Sequence, residues 1–107
     1  MQQLMPGELA VWLSEEGRQK PVLLDVREEW EYAHCRIENS VHVPMNAVPR
    51  HLSDWEQDAP IVAICHHGAR SFQVALFLEQ NGFQQVYNLS GGVDAWAKTV
   101  DPAMSTY

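Results

Sequence analysis

The residue whose type and surroundings most strongly predict covalent chemistry is a cysteine at the start of a short loop. Cys65 follows an apolar run, Ile61-Val62-Ala63-Ile64, and precedes the sequence His66-His67-Gly68-Ala69-Arg70-Ser71. The thiolate is the nucleophilic form, and a free cysteine is only about 3% thiolate at pH 7. A helix N-terminus stabilises a nearby anion by up to about 2 kcal/mol, and the Arg70 guanidinium would add to this effect. We predict that Cys65 is an activated nucleophile; the alternative is a buried, inert cysteine at a strand end.

The flanking residues predict the elements that place this thiol. Residues 61–64 are rich in β-branched side chains, which is typical of a strand covered on both faces. Gly68 allows a tight turn, and Ser71 is a favourable N-cap residue for a helix predicted over 71–81, which ends at the C-cap signature Asn81-Gly82. The thiol then lies over backbone N–H groups that have no partner within the helix.

The rest of the chain predicts strands and helices in alternation. Further strands are predicted at 1–4, 21–26, 41–44 and 86–89. Helical segments are predicted at 6–17, 28–34 and around 93–97, with a short helical or irregular crossover at 45–52 and an irregular surface tail from Asp101. This alternation indicates an α/β fold with a largely parallel sheet. In such sheets ligands bind outside the carboxyl ends of the strands, where Cys65 falls.

Composition limits the classes of partner. The 107 residues are expected to form one domain, 1–107. Seven basic and fourteen acidic residues give a formal charge of −7, which opposes binding to nucleic acid or to an anionic membrane surface. Any anion site must therefore be local, as in the Cys65 loop. Two cysteines are too few for a disulfide framework and no signal-like or membrane-spanning run is present, so the cytoplasm is the expected location.

Several segments, taken in order, match a known family. Cys65–Ser71 is similar to the active-site loop of that family, and Leu23–Glu28 with Trp30–Tyr32 is similar to its Asp-Val-Arg segment. Val41–Pro44 corresponds to the strand that follows. Asn88–Trp96 resembles its C-terminal Gly-Gly-x-x-x-Trp signature. The resemblance covers nearly the whole chain, and the family is that of the single-domain rhodanese-like sulfurtransferases.

The resemblance implies a rhodanese-like three-layer sandwich of about five mostly parallel strands with helices on both faces. It also implies transfer of sulfane sulfur from thiosulfate or a similar small anionic donor to cyanide or a thiol acceptor, through a persulfide on Cys65, with no metal or organic cofactor. The substrate-binding residues it implies are His66, His67, Gly68, Ala69, Arg70 and Ser71, whose amides would hold the anionic persulfide and the departing group. The alternative is a sulfur-relay or regulatory module that receives sulfur from a protein partner.

The length of the loop separates this chemistry from a third hypothesis. Cys65 to Arg70 spans six residues, whereas the related Cys-x5-Arg phosphatases have one residue more. A persulfide sulfur needs less room than a phosphoryl group with three equatorial oxygens. The shorter loop favours sulfur.

Two interpretations are open for several residues near the loop. Arg70 either binds an anion or pairs with a neighbouring carboxylate. Cys35 is either a second functional thiol or a small packed side chain. His66 and His67 either attract an anionic donor at the pocket mouth or are solvated loop residues, and we predict that they do not hold a metal because no further ligand pattern accompanies them.

Other residues have structural interpretations. Asp25 and Arg27 are predicted to be turn and ion-pair residues, and the acidic run Glu28, Glu29 and Glu31 a solvated helix face. The four tryptophans, Trp12, Trp30, Trp55 and Trp96, are predicted to be core or half-buried. Gly91 and Gly92 are predicted to allow a tight turn and close helix packing. Asn39 is predicted to adopt a positive φ where the family often has glycine.

Overall fold

Five short strands form one parallel sheet. The computed structural model describes residues 1–107. The strands are β1 (Gln2–Leu4), β2 (Val22–Asp25), β3 (Val41–His42), β4 (Ile61–Ile64) and β5 (Val86–Leu89). Their order in the sheet is β1-β5-β4-β2-β3, and every pairing is parallel. The predicted α/β class and parallel sheet are confirmed.

Helices cover both faces of the sheet. They are α1 (Pro6–Ser14), α2 (Glu29–His34), α3 (Ala69–Gln80) and α4 (Gly92–Thr99), with a 3₁₀ segment at Met45–Asp54. Residues of α1 and α4 share one apolar cluster with one face of the sheet, and residues of α3 and the 3₁₀ segment share the other. None of these helices combines the length and apolar character needed to cross a membrane.

The central strand β4 shows why the sequence folds this way. Ile61 and Ala63 lie in the cluster on one face, and Val62 and Ile64 lie in the cluster on the other. All four residues are fully buried, as expected for a strand covered on both sides. Burial of each large aliphatic side chain contributes about 1.5–3 kcal/mol. This strand therefore holds its carboxyl end, and Cys65 directly after it, in a fixed position.

The start of α3 differs from the prediction. The helix begins at Ala69 rather than at Ser71, and Gly68 occupies the N-cap position with a φ of 103°. Glycine adopts this left-handed conformation without the penalty that a Cβ would bring. Ser71 is consequently inside the first helical turn, and its hydroxyl is free to contact other groups than the helix end. Asn39 has a φ of 69°, as predicted.

Three further predictions of burial need correction. Trp30 is 60% exposed rather than core or half-buried, and its indole Nε1 donates to Glu28. Glu31, predicted to be solvated, is 4% exposed because it pairs with a cation brought from another element. The tail from Asp101 is irregular as predicted, but Tyr107 at its end packs against the Cys65 loop instead of lying free on the surface.

Candidate active site

The sulfur of Cys65 is surrounded by hydrogen-bond donors. The N–H groups of Gly68 and Ser71 lie 3.1 and 3.4 Å from Sγ, and the Ser71 hydroxyl oxygen lies 3.2 Å from it. These amides belong to the turn and first helical residues of α3, which have no partner within the helix. Cys65 itself is 1% exposed, so a substrate reaches the sulfur only if side chains at the rim of the loop move. Two N–H groups and one hydroxyl thus face a sulfur that is closed to solvent in this conformation.

The loop rests on the start of α4. The N–H groups of Val93 and Asp94 donate to the carbonyl oxygens of Cys65 and His66, at 2.9 and 3.1 Å. Gly92 has a φ of 60°, and a Cβ at this position would overlap both carbonyl groups. The paired glycines were predicted to allow close helix packing; the close approach at Gly92 is instead made to the backbone of the Cys65 loop.

A fully buried ion pair lies at the end of β2. The Arg27 guanidinium donates through Nε and Nη2 to the Asp25 carboxylate, with distances of 2.8–3.1 Å, and both side chains are 0% exposed. Arg27 also donates to the carbonyl oxygens of Glu31 and Cys35. Asp25 and Arg27 form the ion pair that the sequence predicted, and the guanidinium fixes the chain segment that follows α2.

A second ion pair joins α2 to the first turn of α3. Arg70 donates from Nη1 and Nη2 to the two oxygens of Glu31, at 2.7 and 2.9 Å. The Tyr107 hydroxyl donates to Glu31 at 2.8 Å and accepts from Arg27 at 3.0 Å, which links the two ion pairs. The Arg70 hydrogen bonds hold the pKa of Glu31 at about 2, and burial raises the pKa of Tyr107 to about 12. Arg70 is thus the partner of a carboxylate, yet its side chain remains 37% exposed.

The C-terminal tail covers one side of the loop. The Tyr107 ring stacks on the His66 ring at 4.1 Å between centroids, and Trp30 meets the same tyrosine edge-on at 5.4 Å. The backbone of Thr106 contacts the His34 ring at 2.9 Å. The tail, Asp101–Tyr107, therefore forms part of the rim around Cys65.

The two loop histidines lie side by side at this rim. Their rings stack at 3.9 Å, and His67 Nε2 lies 3.8 Å from Asp94 Oδ2. Burial, and then the neighbouring His67, lower the pKa of His66, so a charged imidazole at this position is disfavoured near neutral pH. The ligand atoms of His66, His67 and Asp94 lie within 4.8 Å of one another, but Lys98 donates to the same Asp94 oxygen at 2.9 Å. That hydrogen bond to Lys98 also lowers the pKa of Asp94.

The predicted substrate-binding residues differ in what they contact. Gly68 and Ser71 donate to the sulfur, whereas Arg70 contacts Glu31 and the two histidines contact the tail and Asp94. Ala69 begins α3. Both cysteines are free thiols, and Cys35 lies 3.7 Å from the Arg27 guanidinium.

Sequence reasoning missed four residues around the loop. They are Glu31, Asn88, Asp94 and Tyr107. Asn88 had a signal, because an amide inside the apolar strand Val86–Leu89 must find buried partners. Glu31 follows Glu28 at capping-box spacing, and it does accept the Glu28 N–H at 3.0 Å. Tyr107 carried no signal in the sequence.

This fold and site define a class of α/β protein in which a cysteine at the carboxyl end of the central parallel strand faces the amides of a short loop. The profile of the rhodanese-like domain family matches residues 6–99. The chain belongs to this family, which includes sulfurtransferases.

Individual relatives agree with this assignment. A sulfurtransferase of Allochromatium vinosum is 38% identical over 77 residues, which are 72% of each chain. The thiosulfate sulfurtransferase GlpE of Pseudomonas fluorescens is 35% identical over 95 residues, 89% of this chain and 84% of the relative. Among solved structures, a rhodanese-like domain protein from Staphylococcus aureus is 29% identical with a TM-score of 0.85, covering 100% of this chain and 99% of the other.

The Glu31–Arg70 ion pair predicts a dependence of stability on acid pH. The folded-state pKa of Glu31 is about 2, below its usual value of 4.5, so this carboxylate contributes stability that is complete above about pH 4.5. That contribution, up to about 3 kcal/mol, is expected to be lost as pH falls through 4.5 towards 2. Urea unfolding at a series of pH values measures it.

Two variants serve as comparisons for this pH dependence. Glu31→Gln should be less stable at pH 7 and show a smaller loss on acidification, because residue 31 no longer titrates. Glu16→Gln changes an exposed carboxylate and should keep the slope of the unmodified chain. Equal slopes for all three proteins would contradict the proposed contribution of the ion pair.

Proposed function

We propose that the chain transfers sulfane sulfur from thiosulfate, or a similar small anionic donor, to cyanide or a thiol acceptor through a persulfide on Cys65. The observation that carries this proposal is the set of donors around the sulfur: two backbone N–H groups and one hydroxyl within 3.4 Å of Sγ. Charge-assisted hydrogen bonds of this kind favour an anionic sulfur. The family membership and the relatives named as thiosulfate sulfurtransferases support the same chemistry.

The reaction has two displacement steps. The Cys65 thiolate attacks the outer sulfur of thiosulfate, a new S–S bond forms, and the bond to the sulfonate sulfur breaks so that sulfite leaves with the electron pair. Cyanide or a thiolate then attacks the outer sulfur of the persulfide. The products of this second step are thiocyanate, or an acceptor persulfide, and the regenerated Cys65 thiolate. Ping-pong kinetics follow from the two steps.

Arg70 has a supporting role in this proposal. The chain carries a formal charge of −7, which repels an anionic donor at long range. The Arg70 guanidinium stays charged, because its hydrogen bonds to Glu31 raise its pKa further above neutrality. Because the Glu31 carboxylate balances this charge, the exposed part of the guanidinium offers N–H donors, and no net positive charge, to an anion that approaches the loop. The two free thiols, Cys35 and Cys65, agree with the reducing cytoplasm as its location.

Intact-mass measurement tests the proposal directly. After incubation with thiosulfate and removal of the donor, we expect a gain of one sulfur atom, about 32 Da, that maps to Cys65 and disappears when cyanide is added. A mass gain only from a persulfide-carrying protein, with no turnover of thiosulfate and cyanide, would instead identify a sulfur-relay module. No gain at Cys65 from any donor would overturn both functions.

A further inference from the structure

The side-chain amide of Asn88 has one possible orientation. Asn88 is 2% exposed on β5, and its Nδ2 lies 3.1 Å from the carbonyl oxygen of Gly68 and 3.1 Å from Oε1 of Gln3. A backbone carbonyl only accepts hydrogen bonds, so the NH₂ group must face Gly68. The amide oxygen Oδ1 therefore faces the hydroxyl of Ser71, within hydrogen-bond distance.

This orientation makes two acceptors compete for one proton. Oδ1 of Asn88 cannot donate, so the hydrogen bond between Ser71 and Asn88 uses the hydroxyl proton of Ser71. The same hydroxyl oxygen lies 3.2 Å from Cys65 Sγ. If Cys65 is a thiol, its S–H donates to Ser71 and Ser71 donates to Asn88, so every buried group is paired.

The thiolate state cannot satisfy all three groups. A thiolate attracts the Ser71 proton, and the hydroxyl must then turn away from Asn88. Oδ1 is left without a donor in a site closed to water, and an unpaired buried acceptor costs about 1–3 kcal/mol. In a persulfide the negative charge lies mainly on the outer sulfur, so Ser71 can return to Asn88. The Ser71–Asn88 hydrogen bond therefore favours both the thiol and the persulfide over the thiolate, and it opposes the backbone N–H groups of Gly68 and Ser71, which stabilise the thiolate.

We propose that Asn88 is a positioning residue that sets the thiol–thiolate equilibrium of Cys65 by competing for the hydroxyl proton of Ser71. This inference rests on the proposed function and deepens it. A thiolate that its surroundings stabilise less gains more free energy when its negative charge moves to the outer sulfur of the persulfide. Asn88 does not contact the substrate and acts only through Ser71. Its effect on Cys65 must therefore vanish when the Ser71 hydroxyl is removed.

A double-mutant cycle tests this dependence. Ultraviolet absorbance of the thiolate, measured against pH in the Cys35→Ser background, gives the titration midpoint of Cys65 alone. Asn88→Leu removes the competing acceptor, so we expect the midpoint to fall by about 0.5–1 pH unit, a three- to tenfold rise in thiolate below the midpoint. In the Ser71→Ala background, Asn88→Leu should leave the midpoint unchanged. An equal shift in both backgrounds, or no shift in either, would overturn the proposal.

A second variant keeps the test decisive if Asn88→Leu does not fold. Asn88→Asp has nearly the same size and keeps an acceptor oxygen opposite Ser71, while it adds negative charge near the sulfur. We expect its midpoint to rise more in the chain that keeps Ser71 than in the Ser71→Ala background, where only the added charge acts on the sulfur. An equal rise in both backgrounds would contradict the proposal. Where Asn88→Leu does fold, general distortion of the loop would not shift the two Asn88 variants in opposite directions. These titrations use no sulfur donor, so their outcome is separate from the persulfide test of the proposed function.

Discussion

Replacing Cys65 by serine is expected to reduce sulfur transfer from thiosulfate to cyanide by at least about 10³-fold. A serine hydroxyl stays protonated at neutral pH and cannot form the S–S bond that carries the transferred sulfur. The substitution should leave the fold intact, since a serine oxygen can accept from the same donors that face Sγ, the N–H groups of Gly68 and Ser71. Steady-state formation of thiocyanate measures the loss, and thermal unfolding checks the fold.

Cys35 provides the matched control for this prediction. It is the second free thiol, half-buried and 3.7 Å from the Arg27 guanidinium, and no other hydrogen-bond partner contacts its sulfur. We expect Cys35→Ser to retain activity within about threefold, because the displacement steps use one sulfur atom. Comparable losses for the two variants would show that both thiols carry sulfur, and full activity of Cys65→Ser would exclude the persulfide route.

Replacing Arg27 by methionine is expected to lower the free energy of unfolding by about 3–5 kcal/mol. The methionine would leave the Asp25 carboxylate, 0% exposed, without its cation and the Cys35 carbonyl oxygen without its donor. The Glu31 carbonyl oxygen would lose one of its two donors and keep the Cys35 N–H. An uncompensated buried charge is among the largest destabilising effects that one substitution produces. Urea unfolding at pH 7 gives the magnitude.

Two comparisons separate the buried charge from the loss of one arginine. Arg18→Met removes a guanidinium whose side chain is 49% exposed, 3.6 Å from Glu15 and 4.2 Å from the centre of the Trp12 ring, and it should change stability by about 1 kcal/mol or less. The double variant Asp25→Asn with Arg27→Met removes both buried charges and keeps an acceptor for the backbone N–H of residue 27. It should be more stable than Arg27→Met alone. A double variant as unstable as the single one would refute the buried charge as the cause.

The sequence was sufficient to predict the parallel sheet and the position of Cys65 at the end of its central strand. Residues 61–64 form a β-branched run too short for a helix, and the parallel arrangement follows from strands that alternate with helices. The position of Cys65 at the carboxyl end of that strand was therefore predictable. The Asp25–Arg27 pair was also predictable, because two opposite charges two residues apart at a strand end can reach each other.

The surroundings of the loop were less predictable, because they depend on contacts between distant parts of the chain. Glu31 looks like a solvated residue in an acidic run until α3 brings Arg70 to it, 39 residues later in the chain. Tyr107 lies in a tail without periodicity, yet its ring stacks on His66 and its hydroxyl joins two ion pairs. Ser71 has the residue type of an N-cap, but the positive φ of Gly68 starts the helix earlier and turns this hydroxyl to the sulfur.

The backbone contact at Gly92 limits the ways in which the substrate range can be engineered. Beneath the loop, the carbonyl groups of Cys65 and His66 rest directly on the α4 start, with no side chain between them that a designer could shorten. Room for a bulkier donor cannot be created from that side. Libraries that aim at larger donors should therefore vary the outer rim, at His66, His67 and Tyr107, and keep residue 92 invariant.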